Sequence, residues 1–239
     1  MNSVSDQSGK APLPGAAQAD AVEAFIEKAR RANLAAASDR GRLIFALDAT
    51  MSRRPTWDVA QSIQGRMFEE TSALGGLDVQ LVFFRGFGEC RASHFVSGGQ
   101  GLAALMAKIA CRGGRTQIAK VLRHVLDETQ GRRIGALVFV GDAMEENVDE
   151  LCSLAGRLGL LGVKAFMFHE GGDATAGAAF REIARLSGGA YATFDSRAPR
   201  KLAELLSAAA AYAAGGLPEL ERRAGAGEDA ARLLLSQIG

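Results

Sequence analysis

The chain predicts a doubly wound α/β fold, a mostly parallel six-stranded sheet with helices on both faces, and three observations carry that prediction. From Arg42 onward, apolar runs of strand length alternate with longer amphipathic ones. The first run, Arg42 to Asp48, is apolar without alternation, as in strands buried on both faces of a parallel sheet. The turn Arg85-Gly86-Phe87-Gly88 joins two strand-like runs as a hairpin, which makes the later one an antiparallel edge strand.

Residues 1–18 are rich in Ser, Pro, Gly and Ala and are expected to be disordered. Within 19–40 lies a helical pattern. Val22, Phe25, Ile26 and Ala29 share one stripe, and Glu23, Glu27, Lys28, Arg30 and Arg31 lie opposite, as in a packing helix or an oligomerisation arm. The domain proper spans 41–214. After the first strand, Thr56 or a neighbour caps a helix from about Trp57 to Leu74, which Gly75-Gly76 stops. Leu77 to Phe84 and Glu89 to Val96 are the hairpin strands, followed by a short helix near 100–110 and the loop Cys111 to Arg115. Gln117 to Glu128 is a helix with Ile118, Val121, Leu122 and Val125 inward, leading to a fourth strand, Ile134 to Val140. Helices at 147–161, 174–186 and 200–213 alternate with strands at 163–168 and 190–194. Gly188-Gly189 and Gly215-Gly216 are suitable helix stops, and 215–239 reads as a tail with a short helix near 230–238.

The totals exclude several classes. With 239 residues, 48% apolar and 23% charged, the chain has length for a sizeable core and an ordinary globular mixture. A net charge of +1 gives no field that would draw it to nucleic acid or an anionic membrane. Cys90, Cys111 and Cys152 are odd in number and widely spaced, which argues against a disulfide framework or structural zinc and for a reducing cytoplasm. The N-terminus lacks the basic and apolar regions of a signal peptide, and no apolar run reaches membrane-span length, so a cytoplasmic location is expected.

The chemistry-bearing residues gather at strand ends. Asp48, Thr50 and Ser52 place a carboxylate and two hydroxyls at alternate positions where the first strand runs out. Thr116 follows Gly113-Gly114-Arg115, and Asp142 follows Gly141 at the end of the fourth strand. In open parallel sheets ligands sit beyond the carboxyl ends of strands, at the point where strand order reverses. Oxygen-only donors of this kind suit a hard cation such as Mg²⁺. Each residue also has a local reading: Asp48 can cap a turn, Thr116 can be a helix N-cap, and Asp142 can cap the helix after it.

The three segments Asp48-Ala49-Thr50-Met51-Ser52, Gly114-Arg115-Thr116-Gln117-Ile118 and Gly141-Asp142 resemble, in order and element, a von Willebrand factor A (VWA) domain with a metal-ion-dependent adhesion site. The likeness is to members of the bacterial intracellular type and runs from about Arg42 to Ala213. It implies strand order 3-2-1-4-5-6 with the third strand antiparallel. It also implies that Thr50, Ser52 and Thr116 ligate Mg²⁺ (or Mn²⁺) through hydroxyls, with Asp48 and Asp142 acting mainly through bound water. Neutral hydroxyls leave most of the ion's charge unbalanced, so an acidic side chain of a partner protein can displace water and complete the coordination. The resemblance implies partners such as AAA+ ATPases and stress-response complexes. Asp142 is followed by Ala143-Met144-Glu145-Glu146 where the family more often has Gly. Glu145 is therefore placed to approach the open position in cis, and Arg53 and Arg54 to steer an acidic partner.

Competing chemistries lack residues. Gly113-Gly114-Arg115-Thr116 has neither the Lys nor the leading Gly of a phosphate-binding loop, and Gly86-Phe87-Gly88 lacks the third Gly of a dinucleotide fingerprint. Ser in a G-x-S-x-G elbow is missing. His94, His124 and His169 are scattered and read as satisfied or exposed side chains. Two alternatives remain: a metal-dependent hydrolase on the same acidic site, with Glu145 or His169 as base, or a degenerate scaffold without metal.

Overall fold

The computed structural model describes residues 40–63, 65–71, 74, 76–195 and 198–238, with the backbone alone at 53, 63, 66 and 68. The segment 1–18 and the helix expected within 19–40 fall outside the described residues, apart from residue 40.

The strands are β1 (Gly41–Asp48), β2 (Leu77–Arg85), β3 (Glu89–Val96), β4 (Ala136–Gly141), β5 (Lys164–Glu170) and β6 (Ala190–Phe194). They form one six-stranded sheet in the order β3-β2-β1-β4-β5-β6. All neighbours are parallel except β2 and β3, the hairpin pair. β1 lies between β2 and β4, and its residues Leu43 to Leu47 are at most 1% exposed. Leu43, Phe45 and Leu47 enter one core and Ile44 and Ala46 the other, which is why the run shows no polar alternation.

The helices are α1 (Arg54–Ile63), α2 (Gly65–Thr71), α3 (Gly99–Met106), α4 (Ile118–Glu128), α5 (Val148–Leu160), α6 (Ala174–Leu186), α7 (Pro199–Gly225) and α8 (Asp229–Leu235). Side chains of α1, α2, α3, α7 and α8, among them Trp57, Met67, Leu102, Leu206 and Leu234, fill one core. Those of α4, α5 and α6, such as Val121, Leu154 and Phe180, fill the other. The connection after β1 therefore enters one layer and that after β4 the opposite layer, which opens a crevice between their carboxyl ends.

Two stretches differ from the sequence reading. The single helix expected over 57–74 begins earlier, at Arg54, and consists of α1 and α2. Thr56 is not its cap: the Thr56 hydroxyl donates to Glu170 at the end of β5, and both side chains are buried. The chain beyond 214 is packed, not a loose tail. α7 kinks at Gly216 (φ +69°, ψ −162°), a conformation that glycine adopts without steric cost, and resumes through Pro218. Leu220, Ala224, Ala231 and Leu234 then join the core.

Two polar devices hold this returning segment. Arg223 is buried and bonds Glu70 (2.9 Å), Ser207 Oγ (2.9 Å) and Glu219 (3.1 Å), while Ser207 also donates to Glu70. At the outer edge of β6, the Tyr191 N–H donates to Gln237 Oε1 (3.0 Å), and Gln237 Nε2 donates to the Tyr191 carbonyl (3.0 Å). One side-chain amide thus supplies a rung that a seventh strand would have supplied.

Candidate functional site

Asp48 ends β1 and Asp142 directly follows β4, two strands paired through Leu47 and Val140. Asp48 is buried, and its Oδ1 accepts the Thr50 N–H at 2.7 Å. That bond is the local turn the carboxylate was expected to make, and it leaves the hydroxyls of the loop facing outward. A 3₁₀ turn, Met51–Arg53, then brings Ser52 back over the rim. Thr50 Oγ1 and Ser52 Oγ lie 3.2 Å apart, and Ser52 Oγ donates to Asp142 Oδ2 at 3.2 Å. Asp48, Thr50, Ser52 and Asp142 therefore form one hydrogen-bonded chain from the β1 loop to the β4 loop.

Thr116 joins indirectly. Its Oγ1 accepts the Glu145 N–H at 3.0 Å, and its own N–H donates to Glu145 Oε2 at 3.2 Å. It is not a helix cap, because Gln117 occupies that position and makes no side-chain cap bond. The cap comes from the β4 loop: the Ile118 and Ala119 N–H groups donate to the Glu146 carboxylate at 2.5 and 2.9 Å. An anion there also complements the positive end of the helix. Nor is Asp142 a cap, since Asn147 Oδ1 accepts the Glu150 N–H at the start of α5. Glu146 was missed because its partners lie 28 residues away, beyond the reach of local spacing.

Arg54 is exposed at the start of α1, whereas the side chain of Arg53 is outside the described residues. The loop before Thr116 is pinned to both neighbours: Arg112 N–H donates to the Ala49 carbonyl and Arg115 N–H to the Gly86 carbonyl, each at 3.0 Å. Gly114 is required there, because a Cβ would sit 2.2 Å from the Gly86 oxygen.

Solved structures carry the same architecture. The SpRpn10 VWA domain matches with a TM-score of 0.53 at 11% identity, over 66% of this chain and 89% of that one. The fold is that of a von Willebrand factor A domain. Proximal thread matrix protein 1 from the mussel byssus matches at 0.55 and 15%, over 72% of this chain and 47% of that one. The D319A mutant of the PilB minor pilin from Streptococcus sanguinis matches at 0.52 and 11%, over 71% and 61%. No protein-family model and no curated protein matches the sequence. At these identities the likeness speaks for the fold alone.

Within this VWA fold, no group of three or more His, Cys, Asp or Glu side chains placed to hold a metal occurs among the described residues. The rim offers a different donor set, two carboxylates and three hydroxyls, which is the hard-oxygen chemistry of Mg²⁺ or Mn²⁺. Four of the five are linked by hydrogen bonds, and Thr116 is joined to the β4 loop through Glu145. His169 is buried, neither exposed nor fully satisfied: Nδ1 pairs with the Tyr191 hydroxyl at 2.9 Å, and Nε2 has no hydrogen-bond partner among the described residues. Burial pulls its pKa below the usual histidine value, against the opposing pull of the Asp142 backbone and the Asp173 and Asp142 carboxylates. His94 is exposed, and His124 Nε2 pairs with Gln80 Oε1 at 2.8 Å. All three cysteines are free thiols, and burial pushes Cys90 up to about 11, so it is not a nucleophile near neutral pH. No helix among the described residues is long and apolar enough to cross a membrane.

Proposed function

We propose that this VWA domain is a divalent-cation-dependent, non-catalytic protein-binding domain of the cytoplasm. It captures an acidic side chain of a partner protein through Mg²⁺ (or Mn²⁺) held by Asp48, Thr50, Ser52, Thr116 and Asp142. The observation that carries this reading is the chain from Asp48 through Thr50 and Ser52 to Asp142, which joins two strand ends at the crevice where strand order reverses. The ion would supply a Lewis-acidic vertex for a carboxylate. The protein's own part is to keep neutral hydroxyls outward and to hold the Thr116 loop against the β4 loop through Glu145 and Glu146. Arg54 stands at the rim to attract acidic partners, among which AAA+ ATPases and stress-response complexes are the class to test first.

A hydrolytic reading would need Glu145 or His169 as a base. Glu145 commits one oxygen to the Thr116 N–H, and His169 is 1% exposed, so binding is favoured over catalysis. Titration calorimetry with Mg²⁺ and Mn²⁺ on the wild type and Asp48→Ala tests the proposal. Saturable heat in the wild type, weakened at least tenfold in the variant, is expected. No metal-dependent heat in the wild type would leave only the degenerate scaffold.

A further inference from the structure

Phe87 is 86% exposed at the tip of the β2–β3 hairpin, the most exposed of the large apolar side chains among the described residues. Single exposed apolar residues are ordinary on protein surfaces. This one differs because the turn that carries it is fixed on every side. Arg85 Nη1 donates to the Ala110 carbonyl (2.6 Å), and Gln117 Nε2 donates to the Arg85 and Glu89 carbonyls (3.2 and 3.3 Å). Lys120 Nζ donates to the Gly88 carbonyl (2.8 Å), and Gly86 is pressed against Gly114. All of these anchors come from the segment containing Thr116, so the hairpin tip and one wall of the rim form a single piece. Met51, 58% exposed between Thr50 and Ser52, is a second apolar group on the same rim.

The polar surroundings include several arginines, and the nearby Glu89 is already held by Arg85 and Arg91. Arg54, Arg112 and Arg115 are exposed. The hydrogen bond from Arg85 holds the Glu89 carboxyl below its usual value, and Arg112 lies near enough to help. A rigid aromatic group beside exposed arginines suits a ligand that brings carboxylates and an apolar group together, because little side-chain entropy is lost when it docks.

We propose that the rim around Asp48 binds an acidic protein segment that also carries an apolar side chain, which packs on Phe87 while neighbouring carboxylates meet Arg112 and Arg115. The proposal rests on the cation-dependent reading above and extends it from one captured carboxylate to the composition of the partner. A single-stranded nucleic acid could stack a base on Phe87, but a net charge of +1 gives no field to hold its phosphate backbone, which favours a protein segment.

The test is a selection of random linear peptides displayed on phage against the wild type in Mg²⁺. Binding of the selected peptides is then measured with Phe87→Ser, with Arg112→Gln/Arg115→Gln and with Asp48→Ala, alongside circular dichroism and Mg²⁺ calorimetry on each. The expected result is enrichment of peptides with two or more Asp or Glu near an apolar residue. Their affinity should fall about tenfold or more in both rim variants, with Mg²⁺ binding and folding unchanged. Peptides that need Mg²⁺ and Asp48 but bind both rim variants at wild-type strength would overturn this inference and leave the cation-dependent reading standing. Basic peptides, or tighter binding to a single-stranded oligonucleotide than to any selected peptide, would also overturn it. Failure of any peptide to distinguish the wild type from Asp48→Ala would remove both.

Discussion

The cluster around Arg223 and the cluster around Asp48 both join carboxylates to hydroxyls, the first about a buried guanidinium, and they are exposed to different degrees. Beneath α7, the Arg223 side chain is 6% exposed, and its guanidinium finds Glu70, Glu219, Ser207 and Glu228. At the carboxyl rim Asp48 is buried, but Thr50 is only half-buried, Ser52 is exposed, and the hydroxyl links are 3.2 Å long. A buried charge that lacks partners is strongly destabilising, so an internal ionic cluster has to be closed. A site that must take up an ion and then a ligand has to keep acceptors turned to solvent. Exposure, together with the buried guanidinium, separates the polar group that holds the fold from the one proposed to serve binding.

Arg223→Met should break the closed cluster with the largest effect. It removes the buried cation from Glu219 and Glu70, which keep Arg222 and Ser207 as partners, and should cost about 2 kcal/mol in urea or guanidinium unfolding. Mg²⁺ heat at the rim should be unchanged. A loss below about 1 kcal/mol would mean that the cluster is open in solution and that the contrast fails.

Glu146→Ala probes the seam between the two behaviours. Its carboxylate caps α4 across loops, so the variant should lose about 1 kcal/mol, the usual worth of a cap, and should also weaken Mg²⁺ binding by loosening Thr116. Glu146→Gln keeps one acceptor and should recover part of both. If stability falls while metal affinity stays level, the cap and the rim are independent.

Ser52→Ala should change stability by no more than about 0.5 kcal/mol, as exposed substitutions do, while lowering Mg²⁺ affinity at least tenfold. A large stability loss here would make the rim a structural cluster like the other.

Sequence pattern reached these features unequally. β1 was readable because burial on both faces leaves a signature no other strand environment gives, and Asp48, Thr50, Ser52 and Asp142 were readable because the motif lies at strand ends. β3 and the hairpin followed from Gly86 and Gly88 in the turn. The trans cap by Glu146, the amide of Gln237 on the β6 edge and the anchoring of Phe87 by Gln117 and Lys120 were not, because each joins residues about 30 or more apart through tertiary packing. The break at Gly216 was visible as a helix stop; that the chain would turn back and bury Leu220 and Leu234 was not. Small alanine-rich helices give a weak apolar stripe, and only the neighbouring layer shows which side it covers.

Asp78 offers the smallest effect and separates closure from depth. It sits on β2, bonded to Arg40 Nε and Ser97 Oγ at 2.7 Å each, yet Arg40 is 39% exposed. Burial pushes the carboxyl upward, and the hydrogen bonds from Ser97 and Arg40 outweigh it, so its folded pKa lies below the usual aspartate value. A depressed folded pKa contributes stability that is present above the unfolded value, near 3.8, and lost as pH falls through the lower folded one. Asp78→Asn should therefore be a few tenths of a kcal/mol less stable than wild type at neutral pH, and the gap should close in acid. Urea midpoints at pH 7 and at about pH 3 measure both ends of that window. A gap that persists or widens in acid would assign the contribution to packing instead, and a closed pair at the surface would then resemble the Arg223 cluster in kind as well as in geometry.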